Sequence, residues 1–341
     1  MRIGKITENA LKRSVLKQMR TEYKGIESAA VGTDCAFSND KKTFSAICTV
    51  TADVSDAGFY AVAKTANSLL AQGIEPDHVT LSILLPAEAE EKSLKMIVRD
   101  ALEAAKMCGT VYAGGHTEVT AAVNRAIVTA TAVGTERLDA SKAEGAGGRN
   151  AGAKPGQERG VSPKPRAGQS LVLTKWIALE GTSMLAKEKK TELSTRYPVP
   201  FIEEAESFKE LLDIRKETEI ISAFGEVSVH DLSSGGVFAA LWEMAERAGC
   251  GLEVDLKKIP LRQETIEVCE FFEINPYQLM SGGALLLATE DGKALVRVLE
   301  EAEIPACIIG TLTEGNDRVI INDDEQRFLE LPQADEIHKV L

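Results

Sequence analysis

Four short stretches hold the side chains best suited to chemistry. They are Val31-Gly32-Thr33-Asp34, Thr49-Val50-Thr51-Ala52-Asp53, Tyr112-Ala113-Gly114-Gly115-His116-Thr117-Glu118-Val119 and Val229-His230-Asp231-Leu232-Ser233-Ser234-Gly235-Gly236-Val237. Aspartates at strand ends are the hard oxygen donors required by a magnesium ion that bridges polyphosphate oxygens. Paired glycines let a backbone approach phosphate closely, and a helix N-terminus adds free N–H groups and a favourable dipole. Taken singly, each stretch has a plainer reading. Asp34 and Asp53 suit turns, Asp231 or Ser233 suits a helix cap, and His116 suits a hydrogen-bonded loop.

The elements that must position these residues are readable from periodicity. Runs rich in β-branched residues predict strands over 43–51, 78–84 and 125–133, with helices over 58–72 and 90–107 between them. Downstream, strands are expected over 170–174, 251–256, 284–289, 307–312 and 319–322. Helices are expected over 201–215, 234–248 and 293–302. Near the N-terminus, Leu11, Val15, Leu16 and Met19 also follow helical spacing. Both halves mix strands and helices, so the pattern predicts an α+β protein of two domains, 1–168 and 169–341.

Residues 141–168 interrupt this order. They hold seven glycines, three prolines and almost no large apolar side chain, so a flexible basic linker is expected there. Gly147 to Gly152 has the interval of a phosphate loop, but Ala153-Lys154-Pro155 breaks the pattern and no strand precedes it.

Composition narrows the function class. A length of 341 residues suits two domains, and 44% hydrophobic with 27% charged residues is a globular balance. Fifty-two acidic against 39 basic side chains give a formal charge of −13, and aromatics are only 5%. That excess argues against a nucleic-acid partner, and the scarcity of rings argues against a base-stacking platform. No stretch is apolar enough for a membrane span, and no signal peptide is recognisable. Six scattered cysteines without a CxxC pair suit reduced thiols rather than a disulfide scaffold. A cytoplasmic protein handling a small molecule is expected.

The order of the motifs carries more than any one of them. From Gly4-Lys5-Ile6 through Gly32–Asp34, the TVTAD ending at Asp53, the helix Ala61–Pro76, Gly114–Val119, Leu179–Thr182, His230–Gly236 and Ser281–Ala288, the sequence resembles the aminoimidazole ribonucleotide (AIR) synthase superfamily. That superfamily includes the hydrogenase-maturation carbamoyl dehydratase, selenophosphate synthetase and thiamine-monophosphate kinase. The resemblance implies a homodimer in which N-terminal domains build a β-barrel across the two-fold axis, with a C-terminal sheet covered by helices. It implies ATP and magnesium in the cleft between domains, and chemistry that phosphorylates an oxygen to make it a leaving group. By position it assigns Asp34, Asp53 and Asp231 to the metal. It puts Asn67, a turn at Gly114, Gly115 and Thr117, and Ser233, Ser234, Gly235 and Gly236 around the nucleotide. His116 and Glu118 are the candidate catalytic residues.

Departures from the pattern shape the functional expectation. Ser68 stands where the family usually carries aspartate, and His116 stands where the hydrogenase-maturation branch has aspartate. Imidazole is a poor magnesium ligand, but a neutral ring can hydrogen-bond a phosphate or substrate. The maturation branch also presents a C-terminal cysteine, whereas the last cysteine here is Cys307. The leading expectation is ATP-dependent activation of a carbonyl or amide oxygen on a small or protein-carried substrate. A nucleotide-binding accessory protein without turnover is the second, and AIR synthase itself, phosphoribosylformylglycinamidine cyclo-ligase, is the third.

Overall fold

In the computed structural model, residues 3–23, 30–38, 42–135 and 162–341 are described. They fall into two compact units, Asp34–Leu138 and a second made of Met1–Thr33 with Asp139–Val340. The helical spacing at the start of the chain produces α1 (Glu8–Leu11), a π-helical stretch (Lys12–Leu16) and α2 (Lys17–Glu22). These belong to the second unit.

The Asp34–Leu138 unit contains β1 (Ala36–Phe37), β2 (Phe44–Val50), α3 (Ala57–Leu70), β3 (His78–Leu85), α4 (Glu91–Met107), β4 (Val111–Val119) and β5 (Ile127–Gly134). Burial alternates strictly along β3 and β5, as a sheet with one helix-covered face requires. Val79, Leu81, Ile83, Val128, Ala130 and Ala132 point into the core, where α3 is buried along nearly its whole length. The sheet order is β1-β2-β5-β3-β4, with β3–β4 parallel and the other pairs antiparallel. The sheet is open, with β1 and β4 as its edges.

The second unit continues with β6 (Ser170–Thr174), α5 (Leu179–Glu188), α6 (Lys190–Leu193), α7 (Val199–Ser207), α8 (Arg215–Phe224), β7 (Ser228–Asp231), α9 (Gly236–Ala248) and β8 (Gly251–Asp255). It is completed by α10 (Gln263–Phe271), β9 (Leu285–Thr289), α11 (Gly292–Glu301), β10 (Ala306–Thr313), β11 (Arg318–Asn322) and β12 (Glu325–Phe328). Its seven strands run β12-β11-β8-β10-β6-β9-β7, all antiparallel except β8–β11. All five residues of β9 are buried, the mark of a central strand covered on both faces.

Several elements differ from expectation. The helix expected over 201–215 is α7 followed by a 3-10 turn at Phe208–Leu211, and α8 starts separately at Arg215. Strand β4 replaces the turn expected at Gly114–Thr117. The glycine-rich stretch falls largely on residues 136–161, outside those described. Its last part is fastened down: the Ser162 hydroxyl bonds both the N–H and the carbonyl of Val229, and Arg247 reaches the Ser162 and Pro163 carbonyls. Among the described residues no helix is long and apolar enough to cross a membrane.

Candidate functional site

His116 and Glu118 sit on β4, an edge strand whose residues are almost all exposed. Their spacing of two puts both on one face of the strand, in register with Ser82 and Leu84 of β3. His116 Nε2 lies 3.2 Å from Glu118 Oε2. A carboxylate in that position orients the ring and leaves its other nitrogen to an incoming group. The strand replaces a turn because the parallel ladder with β3 engages its backbone: Gly114 and Gly115 pair with Thr80 and Leu81, and the register shift between Val79 and Thr80 leaves Ala113 as the extra residue. Gly115 has φ +149°, and a Cβ there would lie 1.8 Å from the Leu81 carbonyl oxygen. Glycine is a steric requirement at this position.

In the same unit, Asp34 is half-buried and accepts a hydrogen bond from Gln72 Nε2 at 2.8 Å. Asn67 is buried within α3, five residues before Gln72. Asp53 is exposed in the connection between β2 and α3. Ser68 Oγ donates to the Lys64 carbonyl of its own helix at 3.1 Å.

In the second unit, Asp231 is the last residue of β7, opposite Leu285 of β9, and is buried. Its short strand runs straight into the turn Leu232–Gly235 and then α9. Ser233 and Ser234 are half-buried at this turn, while Gly235 and Gly236 are buried. Both glycines have positive φ, +87° and +64°, and a Cβ on Gly236 would press on the carbonyl oxygens of Tyr277 and Leu279. The turn is tied to the Ser281–Gly283 loop: Ser281 N–H donates to the Ser233 carbonyl, and Leu232 N–H donates to that of Ala284. Buried Glu180, from the LEGT stretch, accepts the Gly282 N–H at 3.1 Å. Three motifs remote in sequence thus form one backbone-bonded cluster.

A further contributor, Asp335, carries no local sequence signal. Asp335 Oδ2 accepts the Gly235 N–H at 2.6 Å, and its Oδ1 accepts those of Met280 and Ile337. On the residue before Asp231 in β7, His230 Nε2 lies 3.1 Å from Glu243 Oε2, and Lys5 also pairs with Glu243. Burial opposes ionisation of Glu243, but the charges of Lys5 and His230 outweigh it and hold its pKa down to about 2.

Within either unit, no three His, Cys, Asp or Glu side chains gather as a preformed metal cluster among the described residues. Magnesium does not need one, since it takes one or two carboxylates and completes its shell with water and phosphate oxygens. The buried Asp231 beside a glycine turn at a 13-residue helix fits that chemistry.

A class follows from the motif order, the two α+β units and this clustering of glycine turns. The chain belongs to the AIR synthase related protein family: residues 15–135 match the family's N-terminal domain and residues 166–322 its C-terminal domain. Within that class, it is 26% identical over 261 residues to a carbamoyl dehydratase HypE of Rhodobacter capsulatus, covering 75% of this chain and 69% of that protein. Its fold is similar to that in the crystal structure of a HypE–HypF complex, with a TM-score of 0.71, 19% identity, and coverage of 94% of this chain and all of that one. It is also similar to a hydrogenase maturation protein HypE in complex with ATP, with a TM-score of 0.68, 17% identity, and coverage of 94% and 96%. At these identities the structures show the fold, and it is the expected two-domain α+β arrangement.

Proposed function

We propose that this chain binds ATP with magnesium and activates a carbonyl or amide oxygen on a small or protein-carried substrate, in chemistry related to hydrogenase maturation. The observation that carries this reading is the buried Asp231 leading into the Ser233–Gly236 turn at the start of α9. The similar HypE structure complexed with ATP, and the relative described as a carbamoyl dehydratase, support it. Asp34, Asp53 and Asp231 would hold magnesium. Asn67, Gly114, Gly115, Thr117, Ser233, Ser234, Gly235 and Gly236 would surround the nucleotide. When bound, Mg–ATP supplies the phosphoryl group that turns a poor leaving oxygen into a good one.

The chain's own contribution is positioning and charge. The Gly235 N–H is already engaged by Asp335, so the glycine shapes the turn and the half-buried Ser233 and Ser234 would offer their hydroxyls to the phosphates. His116, oriented by Glu118, would hydrogen-bond a phosphate or substrate oxygen and move a proton at its ring nitrogen. The functional unit would be a homodimer joined through β4, whose exposed Val111 and Val119 suit burial against a second copy, as a barrel across the two-fold axis would provide.

Titration calorimetry tests the metal assignment. Asp231→Asn and Asp53→Asn are each expected to weaken Mg–ATP binding by about tenfold or more, the loss of one charged ligand. If both variants bound like the parent, the assignment would be wrong. A second reading, a nucleotide-binding accessory protein without turnover, is favoured by Ser68, whose hydroxyl bonds its own helix where the family resemblance implies an aspartate. ADP release above background with carbamoyl or amide substrates would exclude it.

A further inference from the structure

We infer that Asp335 is a positioning residue for the nucleotide turn, coupling a 3-10 helix near the end of the chain, Glu336–Lys339, to both glycine loops. The inference rests on the nucleotide reading above. Its carboxylate is buried and accepts three backbone N–H groups, from Gly235 at 2.6 Å, Met280 at 3.3 Å and Ile337 at 3.0 Å. A carboxylate that only capped its own helix would need the Ile337 bond alone. The other two donors lie 100 and 55 positions away, one in the Ser233–Gly236 turn and one immediately before the Ser281–Gly283 loop.

The geometry explains why an anion is needed here. Gly235 and Gly236 both hold positive φ where the chain enters α9, so no regular ladder engages the Gly235 N–H. A buried N–H without an acceptor destabilises its conformation, and a charged acceptor fixes it more firmly than a neutral one. Asp335 holds the turn before any ligand arrives, which is the preorganisation that phosphate binding benefits from. Its neighbour reinforces the clip: Glu336 accepts the Asn275 N–H and pairs with Lys339. Gly4 packs against the same segment, where a Cβ would lie 3.4 Å from Ala334 and His338. Ligand binding at the turn is therefore felt at Ile337 through one shared carboxylate.

Hydrogen–deuterium exchange with Mg–ATP calorimetry on the full chain tests this. In the parent, Mg–ATP should slow exchange over 233–236, 280–283 and 335–339 together. Asp335→Asn, which keeps one acceptor oxygen, should speed ligand-free exchange in both loops and weaken Mg–ATP binding about tenfold, with Asp335→Ala weaker still. Exchange and affinity unchanged in both variants would overturn the inference. So would protection of 233–236 in the parent with none at 335–339, a readout that holds even if the variants fail to fold. Absence of Mg–ATP protection at 233–236 in the parent would instead sink the nucleotide reading. Ligand-free exchange in the variants would then still decide whether Asp335 holds the two loops.

Discussion

A methyl group at position 115 would lie 1.8 Å from the Leu81 carbonyl oxygen, in a backbone conformation that side chains rarely adopt. Gly115→Ala is therefore expected to destabilise the chain by about 1–3 kcal/mol through strain where β4 meets β3. A urea midpoint equal to that of the parent would contradict this. Thiol chemistry offers a second test at the same scale. None of the six cysteines forms a disulfide. Burial, with the Glu336 charge nearby, pushes the Cys269 thiol up to about 12. Iodoacetamide at pH 8 should leave Cys269 unmodified in the native protein and alkylate it once the chain is unfolded. Equal labelling in both states would show that the core around α10 is open.

At the scale of elements, the N-terminal helices are held to α9 by charge. Lys5 pairs with Glu243, Lys12 with Glu246 and Glu8, and Trp242 Nε1 donates to Glu8 at 2.6 Å beneath the Arg318 guanidinium. Glu243 has its pKa lowered on docking, so its contribution is complete above about 4.5 and is lost as pH falls toward about 2. Without Lys5 the carboxylate should protonate earlier. Trp242 emission, read in a Trp176→Phe background, is expected to change at higher pH in Lys5→Met than in the parent. Superimposable titrations would remove Lys5 from the contact. Much of this scale was legible in the sequence: the alternation of β3 and β5 and the run Ser170–Thr174 announced their strands. Strand β4 did not, because an edge strand exposed on both faces has no hydrophobic alternation, and its Gly-Gly pair reads as a turn. The candidate aspartates were visible from local motifs. Asp335 was not, since its partners are remote and no short pattern surrounds it.

At the scale of the molecule, the open edge at β4 carries the homodimer proposal. Replacing exposed Val111 and Val119 together by lysine should shift the sedimentation coefficient from dimer to monomer with little effect on the fold of one copy. A parent already monomeric at high concentration, or a variant still dimeric, would dismiss β4 as the interface. The second unit's strand order has a separate consequence, for synthesis on the ribosome. Strand β6 lies between β9 and β10, so its sheet cannot form until residues near 313 have emerged, whereas 34–138 is a local unit. Lys5 must wait for a partner 238 positions later. The segment made first is therefore among the last to find its place, and its lysines wait in solvent until α9 has formed.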